Sequence, residues 1–89
     1  MEKVQSPFSN LILMLARGAL QSLGIVENPL SKKKEVNIET AKHTIDTLEM
    51  LKEKTKGNLD DSEKELLEEL LHNLRLKYLE IKRRTRIDG

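Results

Sequence analysis

Two pairs of side chains in this 89-residue sequence have the spacing of metal ligands. His43 and Asp46 stand three residues apart, and Glu69 with His72 makes a Glu-x-x-His. On a helix this spacing puts both groups on one face, and inward-facing di-metal bundles use it. A second candidate is the run "KTKGNLDDSE", residues 54–63. Its Lys54, Thr55, Lys56 and Gly57 offer cations and a pliable backbone to an anion. A phosphate-cradling loop also needs more glycine and a preceding strand. A third is the basic cluster Lys82, Arg83, Arg84 and Arg86, with a second run at Lys32, Lys33 and Lys34. Such clusters suffice for nucleic-acid phosphates. Nucleophilic chemistry has less to work with: the sequence has no cysteine, no serine in a nucleophile-elbow setting and no acid–base dyad beside an apolar wall.

Whatever these groups do, helices must hold them. Charged residues make up 35% of the chain and aromatic residues 2%, so the core can only be Leu, Ile, Ala and Met, which suits packed helices better than sheets. The length allows one domain, residues 1–89, and a domain this small buries a modest share of its surface. A net charge of +1 gives no overall pull toward nucleic acid or a membrane. The apolar run "LILMLARGAL" is too short to span a bilayer and Arg17 interrupts it, so neither a signal peptide nor a membrane role is expected. The lack of cysteine fits a reducing, cytoplasmic setting.

Three helices follow from period and caps. After an N-terminal tail, residues 1–6, the first begins at Ser6 with Pro7 in its first turn and ends at Leu23, with Gly24 beyond it. Phe8, Leu11, Ile12, Leu15, Ala16, Ala19 and Leu23 share its core face. Residues 25–36 break the pattern at Pro29 and the three lysines and read as a connecting loop. The second helix starts near Asn37, with Ile38, Ala41, Ile45 and Leu48 inward, and stops at Gly57. The third runs from about Asp60 to about Arg84, with Leu67, Leu70, Leu71, Leu74, Tyr78 and Ile81 as its stripe and residues 85–89 as a tail. The short connection favours an antiparallel hairpin of helices two and three. The expected fold is therefore all-α, three helices with a long C-terminal one.

Set on these helices, the chemical candidates become ordinary. Both histidine pairs fall off the core stripes and read as surface polar pairs; no metal, cofactor or catalytic residue is expected, and no enzyme. In "KTKGNLDDSE" the lysines match the negative end of helix two, Gly57 stops it, and Asp60 with Glu63 has capping-box spacing for helix three. The basic cluster likewise matches the C-terminal end of helix three. What stands out instead is apolar: Leu13, Met14, Leu20, Met50, Leu76 and Leu79 lie off the expected cores. Together they exceed what a marginal domain leaves wet, and they are the expected interface of a homodimer or higher homo-oligomer, or of a protein partner. The expected role is a non-catalytic helical oligomerisation or protein-interaction module. The alternative is a nucleic-acid-associating protein using Lys82, Arg83, Arg84 and Arg86.

The stretch "AKHTIDTLEMLKEKTKGNL", followed by Glu63, Leu67, Leu70, Leu74-Arg75 and Tyr78, resembles a small bacterial family, domain of unknown function 1844. Leu15-Ala16, Gly24 and Asn28-Pro29 are similar to that family's first segment. The resemblance covers roughly residues 8–80, with "EKTKGNL" its most specific part. It implies a helical, cytoplasmic bacterial protein and supplies no activity. The basic end, Lys82 to Arg86, departs from the family pattern, as does a start without the long polar leader of many relatives.

Overall fold

Each helix starts on a side chain that replaces a missing backbone acceptor. The computed structural model describes residues 6–88, with side chains described through Arg84. Ser6 Oγ accepts the Ser9 N–H at 3.0 Å at the head of α1 (Pro7–Ser22), and Pro7 occupies the first turn, where its lack of an N–H costs nothing. Asn37 Oδ1 accepts the Thr40 N–H at 3.0 Å before α2 (Ile38–Lys54). Ahead of α3 (Asp61–Asp88) the capping box is reciprocal: the Glu63 N–H donates to Asp60 Oδ1 at 2.8 Å, and the Asp60 N–H donates to Glu63 Oε1 at 3.0 Å.

Glycine closes the first two helices. Gly24 sits at φ 76°, its N–H bonded to the Gln21 carbonyl and the Ile25 N–H to the Leu20 carbonyl, both at 3.0 Å. That pair of bonds is a Schellman motif. Gly57 sits at φ 84° just past α2, while the Thr55 N–H and hydroxyl both donate to the Leu51 carbonyl, at 3.0 and 2.6 Å.

The three helices meet on one aliphatic core. Ile12, Ala16 and Ala19 come from α1, Ile45 and Leu48 from α2, and Leu67, Leu71 and Leu74 from α3. Phe8, Leu15, Leu51, Leu59, Leu66, Leu70 and Tyr78 are partly buried around it. Ser9 is buried on the same face of α1, its hydroxyl accepting from Ser6 Oγ at 3.1 Å. The fold is all-α: among the described residues there is no strand, only an isolated antiparallel bridge between Leu23 and Val36.

The structure differs from the sequence reading at two points and adds detail at a third. Leu11 is exposed rather than on the core face, and Leu20, on the other edge of the stripe, packs against the core instead. Helix α3 runs on to Asp88, so residues 85–88 continue the helix where a tail is expected; its 28 residues give roughly 42 Å of helix, against about 24–26 Å for α1 and α2. The 25–36 loop is ordered by Asn28, whose Oδ1 accepts the N–H groups of Leu30 (2.8 Å) and Ser31 (3.3 Å). Its backbone also bonds to Lys33 O (2.9 Å) and Lys32 N (2.7 Å), with Lys32 left-handed at φ 58°. The expected N-terminal tail lies outside the described residues except for Ser6.

The two left-handed glycines give a graded prediction. Gly57→Ala is expected to lose about 1 kcal/mol, from conformation alone, because an added Cβ meets nothing within 4 Å. Gly24→Ala should lose more, by roughly 0.5–1.5 kcal/mol, because its Cβ would sit 2.8 Å from Val36 Cγ2 and push a stiff β-branched side chain off its rotamer. Urea unfolding of the two variants checks the order.

Candidate functional site

Helical spacing decides what each helix offers to the outside. Met14, Met50 and Leu76 each follow a buried residue by two positions: Ile12, Leu48 and Leu74. Two residues on a helix is a turn of roughly 200°, so all three side chains point away from the common core. Their exposures are 70, 45 and 55%, and Leu79 on the same side of α3 is 54% exposed. Because they leave three different helices outward, they do not make one patch. Only Leu76 and Leu79, three apart on α3, are neighbours among these four. Leu13 is half-buried, and Leu20 belongs to the rim of the core, so neither adds to that surface.

The α3 stripe has its own electrostatic setting. Residues 61–70 carry five acids and one lysine, and residues 71–84 carry five Lys or Arg and one acid. By helical position, Arg75 and Lys82 flank Leu76 and Leu79 on one side, with Lys77 and Arg84 on the other. Arg75 is ion-paired across the helices to Glu49 of α2. Arg84 Nη2 lies 3.3 Å from Glu80 Oε2, and Lys82 Nζ lies 5.6 Å from the centre of the Tyr78 ring. Lys82, Arg83 and Arg84 are all exposed; the Arg86 side chain lies outside the described residues. Exposed pairs of this kind contribute little to stability.

The histidine pairs do not converge on anything. His43 and His72 are exposed, as are Asp46 and Glu69. Asp46 turns to Lys42 instead, at 2.9 Å, and that hydrogen-bonded carboxylate raises the pKa of the Lys42 ammonium above its usual value. Among the described residues, no three His, Asp or Glu side chains gather as a metal would require.

The corner between α2 and α3 carries a cleft of about 490 Å³. Lys52, Lys56 and Lys64 line it together with Glu53, Asp61 and Glu68, so its charges balance. Leu59 and Leu67 supply its apolar part. Sequence reasoning weighs this corner as an anion site and settles on a stop and a start. Its concavity comes from how the ends of α2 and α3 stand together, which no local pattern encodes.

Among the described residues no helix is long and apolar enough to cross a membrane. Residues 5–80 match the family model described as Domain of unknown function (DUF1844). No curated protein and no solved structure matches the chain.

If the histidine pairs are surface groups, excess Zn²⁺ should leave the thermal unfolding midpoint unchanged. A resident ion bound only by the fold would raise it by several degrees, since binding to the folded state adds directly to stability. Differential scanning calorimetry with and without Zn²⁺ reads this.

Proposed function

Because this chain belongs to the DUF1844 family, a domain of unknown function whose description carries no activity, we propose that it is a non-catalytic helical module that associates with copies of itself or with a protein partner. The observation that carries this reading is the exposed apolar set, above all Leu76 and Leu79 on α3. Fully burying a leucine stabilises by roughly 1.5–3 kcal/mol, and small domains have only about 5–15 kcal/mol in hand. Covering two such side chains is therefore a substantial gain. The cations flanking them favour a partner surface with carboxylates at its rim.

Three further points belong to the same reading. Helices α2 and α3 form an antiparallel hairpin, which the Glu49–Arg75 pair and the short 55–60 connection support. The outer stripe of α3 faces away from the core in that arrangement, so Leu76 and Leu79 stay uncovered in a single copy. A cytoplasmic location goes with a chain that has no cysteine to oxidise.

A second reading is kept for one observation. Lys82, Arg83 and Arg84 are exposed toward the end of α3, Lys82 over a tyrosine ring, which would suit nucleic-acid phosphates. The acidic first half of the same helix opposes it.

Light scattering over a range of concentrations should give a mass above that of one chain. Replacing both Leu76→Glu and Leu79→Glu should return it to a single chain with helix content intact by circular dichroism. An unchanged mass in the double variant would place the interface elsewhere. For the second reading, fluorescence polarisation with mixed oligonucleotides should show salt-sensitive binding that disappears when residues 82–89 are deleted. Lack of such binding at low salt removes it.

A further inference from the structure

The outward face of α3 repeats with a rule of its own. Glu65, Glu69, His72, Leu76, Leu79 and Arg83 follow one another at alternating steps of four and three residues, and all six are exposed. Such steps average about 3.5 residues, the period at which one helix lies along another in a coil. The strip runs for roughly 27 Å along the side of α3 opposite the buried Leu67, Leu71 and Leu74.

Its charge selects what can cover it. Glu65 and Glu69 lie at one end, Arg83 at the other, and the two leucines between them. None of these three charges has an ion-pair partner among the described residues, whereas Arg75 and Arg84, beside the strip, are paired to Glu49 and Glu80. The helix dipole acts only over the end turns, and Glu69 lies more than two turns inside α3. The surface that fits sets a base against the acidic end, an acid against Arg83, and apolar side chains between. A second α3 turned end for end offers that order. One laid parallel would set Glu69 against Glu69 and Arg83 against Arg83.

We infer that two copies of this chain pair antiparallel along the strip. Leu76 of one copy meets Leu79 of the other about a two-fold axis, and Arg83 of each lies over the turn that carries Glu69 in the other. The pairing rests on the self-association reading and adds to it the occupant, its direction and its register. Like surfaces that meet on a two-fold axis close on themselves, so this contact by itself gives a pair of chains.

Sedimentation velocity over a range of concentrations reads the pairing through charge-reversed chains. Arg83→Glu alone, or Glu69→Arg alone, sets like charges together at both ends of the pair. Each should weaken association roughly 5- to 30-fold, the order carried by two exposed pairs turned from attraction to repulsion. Both positions are exposed, so neither change endangers the fold, and circular dichroism checks this. Mixing the two variants should restore the strength of the wild type, because each end of the mixed pair again joins one acid to one base. If the wild type associates but neither variant weakens it, or the mixture stays as weak as its parts, the antiparallel pairing is overturned while self-association stands. If the wild type keeps the mass of one chain throughout, both fall.

Discussion

Three aliphatic stripes, one per helix, hold this molecule together, and the rest of its geometry follows from how they meet. The centre is Ile, Leu and Ala alone: Ile12, Ala16 and Ala19 against Ile45 and Leu48, and both against Leu67, Leu71 and Leu74. Rings stay at the margin, with Phe8 and Tyr78 partly buried. A core of this kind has no polar group to place, and the one buried polar side chain among the described residues, Ser9, is bonded to its own helix cap. The stripes also decide what faces away. A period of 3.6 residues that turns Ile12, Leu48 and Leu74 inward must turn Met14, Met50 and Leu76 outward. The interior and the sticky exterior are one pattern seen from two sides.

Charge, by contrast, works locally. The sign change along α3 matches its own dipole, acids near the N-terminal end and bases toward the other. The Asp60–Glu63 box satisfies two amide groups, and Lys52 and Lys54 stand in the last turn of α2. Groups that read in sequence as a phosphate site thus end one helix and begin the next. The same economy holds for Asp46, which binds Lys42 one turn away rather than joining His43 in a ligand pair. With exposed pairs contributing at most about 1 kcal/mol each, these charges orient surfaces more than they stabilise the fold.

The proposed association has leftover apolar area to draw on at two unlike places, the α3 stripe and the Leu30 loop tip. Each is small. Stable interfaces bury roughly 1,200–2,000 Å² in total, and two leucines with their aliphatic neighbours fall short of that alone. A module that uses several modest contacts at once gains through effective concentration what no single contact provides. That is the physical argument behind the proposed association.

Much of the fold was legible in the residues themselves. Ser6, Asn37, Gly24, Gly57 and the Asp60–Glu63 box mark their helix ends because capping bonds reach only a few residues, so a short window of sequence contains both partners. The buried stripes are legible for the same reason: one turn of helix repeats the rule. What lies between distant residues was not. Whether Leu11 or Leu20 is covered depends on which edge of α1 its neighbours lean against. Glu49 finds Arg75 across 26 positions of sequence. Asn28 draws a loop tight enough to hold Leu30 out, and two helix ends enclose a cleft. Sequence alone set the helices, their ends and their inward faces, because those are decided within a turn. Only the tertiary structure chose the margins, the cross-helix pair, the exposed loop tip and the cleft, because each is decided by where a distant part of the chain comes to rest.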